Sequence, residues 1–302
     1  MKILVSDAIA EAGVQRLKEA GFEVEVKTGL KPEELVKAIP EYEGLIVRSA
    51  TKVTREVILA GKNLKAIGRA GIGLDNVDVE AAKERGIKVL NTPGATTISV
   101  AELTIGHMLA LARQIPQATA SLKAGKWEKK LFMGTELYEK TLGIIGIGRI
   151  GREVAKRAAA FGMDLVAYDP YVRESDVRDL GLKLLPLDEL LRYSDYITLH
   201  LPLSPETKHL LGPRQFALMK QGVRLVNCAR GGIVDEQALY KALKDGQVAG
   251  AALDVFEVEP PQDNPLLKLD NVIATPHLGA SAKEGQARSG VEIAEKMIAA
   301  LG

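Results

Sequence analysis

Short apolar runs alternate with longer amphipathic stretches along this chain, and the alternation occurs in two separate series. In the first series, apolar runs predict five strands, and amphipathic segments such as 10–20 and 79–85 predict the helices between them; the strands are placed at 3–6, 23–27, 44–47, 66–68 and 88–91. Strands that alternate with helices build parallel sheets with helices on both faces. Residues 1–95 therefore predict a small doubly wound α/β domain of the flavodoxin-like kind.

The second series predicts a larger sheet of the same class. A long amphipathic segment at 100–113 and a further helical stretch that ends near residue 124 precede it. Six strands are predicted, namely the apolar residues from Thr141 to Ile145 and the segments 164–169, 196–199, 224–227, 249–253 and 272–274. A last helical segment, 282–301, is expected to return to the first domain. The prediction is thus two Rossmann-like α/β domains with a cleft between them, one formed by residues 1–95 with 282–302 and the other by residues 96–281.

A glycine-rich turn follows the first strand of the second series. Gly146 permits a tight turn, Gly148 permits close approach of the backbone to a pyrophosphate, and Gly151 lets the following helix pack near the strand. The amino terminus of that helix would then face phosphate groups. Asp169, at the end of the next predicted strand, is expected to accept hydrogen bonds from ribose hydroxyls. Together these features predict a dinucleotide-binding site.

The same acidic residue bears on which dinucleotide binds. A carboxylate at position 169 would repel the additional 2′-phosphate of NADP, so the pattern favours NAD. Arg149 and Arg173 lie close in sequence and could weaken that preference. The alternative interpretation of a glycine turn with only a packing role is opposed by the strand, helix and acidic residue around it.

Composition narrows the possible partners and the compartment. The 302 residues are 46% hydrophobic, carry a net charge of +1 and contain one cysteine, Cys228. The balanced charge, with no Lys/Arg block, argues against a nucleic-acid partner. One cysteine excludes an internal disulfide and favours a reducing, cytoplasmic setting. No segment approaches the roughly 20 apolar residues that cross a bilayer. The apolar run at the amino terminus is too short for a signal peptide.

Three chemically active residues follow strands of the second series. Arg230 lies in a glycine-bounded turn, Glu259 in a proline-rich loop, and His277 between Pro276 and Leu278. Each residue alone has a simpler interpretation: a surface arginine, a turn-capping carboxylate and a loop histidine. Ligands of open α/β sheets bind outside the carboxyl ends of strands. After a dinucleotide motif, the three together favour oxidation of a 2-hydroxyacid, with the histidine as proton acceptor and the arginine as carboxylate ligand.

At this point the sequence resembles the D-isomer-specific 2-hydroxyacid dehydrogenase family. The resemblance rests on GIIGIGRIG (143–151) with Asp169, NCARGGIVDE (227–236), DVFEVEPP (254–261) and TPHLGAS (275–281). Further similar stretches cover nearly the whole chain: VRSATKVT (47–54), GRAGIGLDNVD (68–78), NTPGATTISVAELT (91–104) and LARQIPQATASLKAGKWEKK (111–130). These stretches are most similar to family members that oxidise 3-phospho-D-glycerate to 3-phosphohydroxypyruvate, the first step of L-serine biosynthesis by the phosphorylated route.

The resemblance implies roles for individual residues. It implies Arg230 as the substrate-orienting residue, Glu259 as the partner of His277, and His277 as the general acid/base. It also implies that NAD is contacted by residues of the second domain, namely Arg149, Ile150, Asp169, Leu201, Cys228, Ala229, Arg230, Asp254, His277, Gly279 and Ala280. No metal is implied.

A phosphorylated substrate also needs cationic ligands, and the first domain offers candidates at strand ends. Arg48 follows one predicted strand and Arg69 another, and the backbone N–H groups of the turn from Gly71 to Gly73 could hold a carboxylate. The candidate substrate contacts are Arg48, Ser49, Arg69, Gly71, Ile72 and Gly73. Ile72 departs from relatives that carry threonine there, so a hydroxyl contact is lost while backbone contacts remain.

Alternatives to this interpretation stay open. A glyoxylate or hydroxypyruvate reductase would use the same three catalytic residues without the phosphate-binding cations. An NAD-sensing corepressor-like interaction protein is the alternative from outside enzymology. The family resemblance further implies a homodimer, with an arm near residues 100–135 that includes Trp127, Leu131, Phe132 and Met133.

Overall fold

The computed structural model describes all 302 residues, which form twelve strands and eleven α-helices. The strands are β1 (Lys2–Val5), β2 (Glu23–Val26), β3 (Gly44–Val47), β4 (Ala66–Arg69), β5 (Lys88–Asn91), β6 (Thr141–Ile145), β7 (Asp164–Tyr168), β8 (Lys183–Leu184), β9 (Tyr196–Leu199), β10 (Val223–Asn227), β11 (Val248–Leu253) and β12 (Val272–Ala274). The helices are α1 (Glu11–Glu19), α2 (Pro32–Ala38), α3 (Arg55–Ala60), α4 (Val79–Glu84), α5 (Thr97–Arg113), α6 (Ile115–Lys123), α7 (Arg149–Ala160), α8 (Leu187–Tyr193), α9 (Pro213–Leu218), α10 (Glu236–Lys244) and α11 (Lys283–Leu301). None of the helices combines the length and apolar character needed to cross a membrane.

The chain divides into two compact units, residues 1–99 with 280–302 and residues 100–279. The first unit contains a five-stranded parallel sheet in the order β2-β1-β3-β4-β5. This is the flavodoxin-like order, in which the direction of winding reverses between β1 and β3. Its central strands are buried apolar runs such as GLIV in β3, as expected where helices cover both faces of a parallel sheet.

Helix α11 completes the core of the first unit although it lies far from the other elements in sequence. Ile293, Ala294 and Met297 are fully buried, in one cluster with Ile3 and Val5 of β1. Glycines allow this close packing, because a Cβ at position 13 would lie 2.3 Å from the Gly290 carbonyl oxygen and one at position 68 would lie 2.9 Å from the Ile293 side chain. The first unit is therefore built from both ends of the sequence.

The second unit contains a parallel sheet in the order β12-β11-β10-β9-β6-β7-β8. Counted from β6, this is the dinucleotide-binding order, which reverses between β6 and β9. The sequence pattern predicts six strands, and the sheet has seven. The additional strand, β8, has two residues that pair with Val166 and Ala167 of β7, and a two-residue strand is too short to show a periodic pattern.

Candidate functional site

The glycine turn after β6 has the close contacts that its sequence predicts. Gly146 has φ +94°, and a Cβ there would lie 2.6 Å from the His200 carbonyl oxygen. A Cβ at Gly151 would lie 2.2 Å from the Gly146 carbonyl oxygen, so only glycine lets α7 begin this close to β6. Since β6 and β9 flank the point where the strand order reverses, the turn lies where α/β sheets bind ligands.

The first turn of α7 is suited to phosphate. Gly148 is the N-cap, makes no side-chain cap hydrogen bond and has no atom within 4 Å of the place a Cβ would occupy. Arg149 is exposed and Ile150 is half-buried at the start of the helix. The N–H groups of an uncapped first turn, together with the helix dipole, attract anions. These residues fit the pyrophosphate of a dinucleotide.

Asp169 follows β7 beside the glycine turn. Its Oδ2 accepts a hydrogen bond from the Ile147 N–H at 3.0 Å, and its Oδ1 accepts one from the Tyr171 N–H at 3.0 Å. A carboxylate has about four acceptor positions, so capacity remains for two hydroxyl groups of a ribose. The two backbone bonds fix the orientation of the carboxylate in advance.

His277 and Glu259 form the central pair of the second unit. The Nδ1 atom of His277 lies 2.8 Å from Oε2 of Glu259, and the other carboxylate oxygen accepts the Phe256 N–H at 3.1 Å. The carboxylate can only accept, so Nδ1 carries the proton and Nε2 is the atom left for a substrate. Both side chains are partly exposed, 48% for the histidine and 37% for the glutamate. This is the geometry of an oriented general base.

The electrostatics of this pair favour a histidine that accepts a proton. The hydrogen bond to Glu259 raises the pKa of His277, partial burial opposes this, and the charges of Glu259 and Asp254 add to the rise while Arg230 lowers it. Partial burial by itself raises the pKa of Glu259, but the hydrogen bond and charge of His277, the Phe256 N–H and Arg230 together lower it. Glu259 is thereby kept ionised and stabilises the protonated imidazole.

Asp254 holds the loop that carries His277. This buried carboxylate accepts the Thr275 hydroxyl at 2.6 Å and the N–H groups of Leu278 and Gly279 at 2.7 Å each. His277 itself has φ +53°, a backbone conformation that is uncommon for residues other than glycine and is held here by its surroundings. The sequence interpretation treats Asp254 and Gly279 as cofactor contacts; the structure shows that they also fix the backbone on which His277 stands.

The turn that carries Arg230 lies against the loop that carries Glu259. Asn227, which the sequence interpretation does not assign, accepts the Ala229 N–H at 3.0 Å and donates to the Arg230 carbonyl oxygen at 3.0 Å. A Cβ at Gly231 would lie 1.8 Å from the Phe256 carbonyl oxygen. The charges of Arg230 and Glu259 act on each other. The structure therefore brings all three predicted catalytic residues together at the carboxyl ends of neighbouring strands.

The remaining predicted cofactor contacts differ in their surroundings. The Leu201 side chain packs within 2.7 Å of the position a Cβ on Gly146 would take. Cys228 and Ala229 are buried at the end of β10. Burial, together with the charge of Asp254, raises the pKa of the Cys228 thiol to about 12, so it stays protonated. Ala280 belongs to the first unit.

Two other histidines are unsuited to proton transfer near neutral pH. Burial lowers the pKa of His107, although the charge of Asp254 raises it slightly, and burial lowers the pKa of His200 to about 3. His107 Nε2 lies 3.1 Å from the Thr275 hydroxyl, and His200 Nε2 lies 3.0 Å from that of Thr198. Their environments thus stabilise the neutral rings, in contrast to His277.

A second candidate site lies within the first unit, where the strand order reverses. A small cavity encloses about 20 Å³, or about 290 Å³ when the open solvent at its mouth is counted. It is lined by Ala8, Ile9, Ala10, Arg48, Ala70, Thr96, Ala280, Gln286 and Ser289. Asp7 supports it from behind by accepting the Arg48 N–H at 2.6 Å and the Thr51 N–H at 3.0 Å. Arg48 is the one cation in its lining, so an anion at the mouth of the cavity would meet a positive charge.

The other predicted substrate contacts lie outside the wall of this cavity. A Cβ at Gly71 would lie 2.8 Å from the Arg69 guanidinium, so this side chain covers the glycine turn. Thr92 N–H and Asn91 Nδ2 hold the turn by donating to the carbonyl oxygens of Gly71 and Ile72 at 2.9 and 2.6 Å. Gly73 is half-buried and Ser49 is exposed.

Three polar residues of the cavity were missed by the sequence interpretation. Thr96 is 2% exposed, and its hydroxyl oxygen has no hydrogen-bond partner within the protein. Ser289 bonds to Thr92 at 2.6 Å, and Gln286 belongs to the first turn of α11. A buried hydroxyl without a partner is costly unless a ligand or water satisfies it. The fold had to be known before these residues could be assigned to one place.

Comparison with known proteins identifies the family of the chain. Residues 105–279 match the family described as "D-isomer specific 2-hydroxyacid dehydrogenase, NAD binding domain". The chain belongs to this family. The family resemblance predicted from the sequence motifs is thus confirmed, as is the prediction of two parallel-sheet α/β domains.

Individual relatives carry different names. The D-3-phosphoglycerate dehydrogenase of Methanocaldococcus jannaschii is 58% identical over 98% of this chain and 57% of its own length. The hydroxypyruvate reductase of Thermotoga maritima is 55% identical over 100% of this chain and 98% of its own length. The crystal structure of the TT0316 protein of Thermus thermophilus superposes with a TM-score of 0.92, at 40% identity, over 100% of this chain and 97% of the other. The chain spans a little more than half the length of the phosphoglycerate dehydrogenases that it matches.

Proposed function

We propose that the chain is an NAD-dependent dehydrogenase that oxidises 3-phospho-D-glycerate at C2 to 3-phosphohydroxypyruvate, the first step of the phosphorylated route to L-serine. The observation that carries the proposal is the hydrogen bond between Glu259 and His277 at 2.8 Å beside Arg230. The names of several relatives support the substrate. Arg48 in the cavity of the first unit supports it independently, because it supplies the cation that a phosphate needs.

The catalytic residues divide the chemistry among them. When bound, NAD would accept the hydride that leaves C2. His277 Nε2 takes the proton of the C2 hydroxyl, and Glu259 stabilises the resulting imidazolium through Nδ1. Arg230 binds the carboxylate of the substrate through paired N–H groups, which orients C2. In the reverse direction His277 returns the same proton to the keto oxygen.

The cofactor would be held by residues of the second unit. The uncapped first turn of α7 would bind the pyrophosphate, with Gly148 allowing close approach. Asp169, already oriented by Ile147 and Tyr171, would accept the ribose hydroxyls and repel the phosphate of NADP. The "NAD binding domain" name of the matching family supports this choice.

Changing Asp169 to asparagine is expected to reduce the preference for NAD over NADP. A hydrogen bond to a charged group contributes about 1.5–3 kcal/mol, so the ratio of the two kcat/KM values should fall roughly 10- to 100-fold. Steady-state kinetics with each cofactor measures the ratio. Asp164→Asn, at the exposed start of β7, serves as the control, and an unchanged ratio in Asp169→Asn would show that selection occurs elsewhere.

Rates are expected to depend on pH through His277. Oxidation requires the unprotonated ring, and its pKa is raised above the ordinary value of 6.5, so kcat/KM should rise with pH to a midpoint above that value. Glu259→Gln removes the charge that raises this pKa, and the midpoint should then move to lower pH. Reduction of the keto acid should show the opposite slope. Initial rates in both directions across about pH 5–10, which includes the usual histidine range and extends above it, test this. A midpoint that does not move in Glu259→Gln would contradict it.

Hydroxypyruvate reduction is the second candidate, because the Thermotoga maritima relative of that name is 55% identical to this chain. Arg48→Ala separates the two functions. Loss of a charge-assisted bond to phosphate should reduce kcat/KM for 3-phospho-D-glycerate roughly 10- to 100-fold, while turnover of glyoxylate or hydroxypyruvate should persist. The measurement is the rate at which NADH is formed or consumed, followed by its absorbance.

A matched control and a contrary result complete this test. Arg55→Ala removes an exposed arginine of the same unit that pairs with Glu84, and it should leave both activities intact. If Arg48→Ala reduces neither activity, the cavity does not bind phosphate. If wild type reduces hydroxypyruvate but does not oxidise 3-phospho-D-glycerate, the reductase assignment replaces the one proposed.

A homodimer is part of the proposal. Trp127 and Met133 are each 83% exposed and Leu131 is 67% exposed, which is unusual for large apolar side chains on a free surface. Phe132 of the same segment is partly buried. These residues lie within the predicted arm near 100–135, and a second copy of the chain would cover them. Sedimentation equilibrium measures the mass, and a monomer at micromolar concentration would contradict the dimer.

A further inference from the structure

His209 and Glu257 form a second histidine–glutamate pair outside the catalytic one. His209 Nε2 lies 3.1 Å from Oε1 of Glu257, and the carboxylate can only accept, so the histidine donates. The two side chains are 41% and 35% exposed. His209 lies in the loop after β9, and Glu257 lies in the loop after β11, two residues from Glu259.

Glu236, the first residue of α10, joins this pair. Its N–H donates to Oε1 of Glu257 at 3.2 Å, and its own Oε1 accepts the Glu257 N–H at 2.7 Å. Its second carboxylate oxygen accepts Nδ2 of Asn264 at 2.7 Å. His209, Glu236 and Glu257, called the loop clasp below, thus connect the loops after β9 and β11 to the start of α10. Glu236 and Glu257 are joined by reciprocal bonds rather than by one ion pair.

The backbone at His209 is consistent with a role beyond surface charge. Its φ is +50°, and its N–H donates to the Gly232 carbonyl oxygen at 2.7 Å. A residue other than glycine in this conformation is uncommon, and such positions concentrate at functional sites. The loop after β9 is therefore attached to the turn that carries Arg230 by its backbone, and to the loop that carries Glu259 by its side chain.

The clasp lies beside the place where the two catalytic loops meet. Gly231 is in contact with the Phe256 carbonyl, and the Phe256 N–H donates to the Glu259 carboxylate at 3.1 Å. Any change in the distance between the loops would therefore move Arg230 relative to Glu259. We infer that the loop clasp positions Arg230 and Glu259 for catalysis. This inference rests on the proposed dehydrogenase function for its kinetic consequence.

The clasp is a positioning device and not a source of stability. Exposed ion pairs contribute little to folding, so its loss should leave thermal unfolding nearly unchanged. A small displacement of groups that must be aligned with a substrate reduces rates strongly. The expected signature is thus impaired catalysis in a protein of normal stability.

Three substitutions test the clasp. His209→Gly removes the side chain and suits the positive φ, so misfolding is avoided. Glu257→Ala removes the acceptor, and each of these two should lower kcat/KM roughly tenfold. Glu257→Gln keeps an acceptor oxygen and should recover most of that loss. Asp188→Asn, which breaks the exposed pair with Arg214 in the same unit, is the control and should behave as wild type.

The pH profile distinguishes positioning from a purely structural effect. In His209→Gly and Glu257→Ala a loosened Glu259 should allow the kcat/KM midpoint to move to lower pH, as in Glu259→Gln. The inference would be overturned if Glu257→Gln and Glu257→Ala lost the same activity while the pH midpoint of kcat/KM and the KM stayed unchanged. Unchanged activity in both His209→Gly and Glu257→Ala would overturn it as well.

Amide hydrogen exchange separates this inference from the proposed function. The N–H groups of Glu236 and Glu257 are donors within the clasp. Glu257→Ala should therefore accelerate exchange in residues 228–236 and 254–264 whether or not 3-phospho-D-glycerate is the substrate. If wild type oxidises no tested substrate, the function fails while accelerated exchange still supports the clasp. Unaltered exchange in these segments would overturn it.

Discussion

Replacement of His277 by asparagine is expected to lower kcat roughly 10²- to 10⁴-fold, the usual contribution of a positioned general acid/base. Asparagine tolerates the left-handed backbone better than most residues, and the native φ of +53° is therefore retained without added strain. KM for NAD should change less than kcat, since the glycine turn and Asp169 are untouched. The measurement is the rate of NADH formation, with purified variants compared at equal concentration.

The control for this substitution lies in the same unit. Asp263 has the same φ of +53°. Asp263→Asn therefore places asparagine at the same backbone conformation without changing His277 or Glu259, and it should retain activity. Substantial turnover by His277→Asn would mean that another group or water takes the hydroxyl proton. The assignment of the Glu259 and His277 pair as the reacting centre would then be wrong.

A single methyl group at position 231 is expected to have the largest effect on structure. A Cβ there would lie 1.8 Å from the Phe256 carbonyl oxygen and 2.8 Å from the Glu257 nitrogen, and both are backbone atoms that cannot rotate away. Gly231→Ala should separate the two catalytic loops. Overpacking of this kind costs about 3 kcal/mol or more, which corresponds to a fall in melting temperature of roughly 6–12 °C in a domain of this size.

Activity should fall with stability in this variant, since Arg230 and Glu259 would be displaced by a large fraction of an ångström or more. Such displacement costs roughly 100-fold in rate. Differential scanning calorimetry and turnover measure the two effects. Gly94→Ala is the control, because no atom lies within 4 Å of a Cβ there. A Gly231→Ala protein with normal melting and normal turnover would show that the backbone accommodates the methyl group without displacing Arg230 and Glu259.

The sequence predicts the β/α organisation well because buried parallel strands leave strong apolar signals. The runs at β3, β5, β9 and β12 were predicted with the observed bounds. Strand β8 was missed, since two residues carry no period. Helix α5 begins at Thr97 rather than at residue 100, because the first turn of a helix lacks the apolar spacing that marks its later turns.

Parts of the candidate site were accessible from sequence and others were not. Gly146, Gly151 and Asp169 form a pattern at fixed spacing, and their contacts in the structure follow from it. The chemistry of Arg230, Glu259 and His277 after neighbouring strands suggests that the glutamate stabilises the protonated histidine, and the family resemblance assigns the pair; spacing alone does not specify it. Thr96, Gln286 and the loop clasp depend on contacts between residues distant in sequence, and only the folded chain places them together.

The position of α11 has a consequence for the order in which the molecule forms during synthesis. Its side chains fill the core between β1, β3 and β4, whose residues emerge from the ribosome more than two hundred residues earlier. Until then the first sheet exposes Ile3, Val5 and Ile46 on one face. The second unit, continuous in sequence, can fold on its own in that interval. Nascent chains that lack α11 should therefore bind chaperones through the first unit, and contacts of such long sequence separation make its closure the slow step.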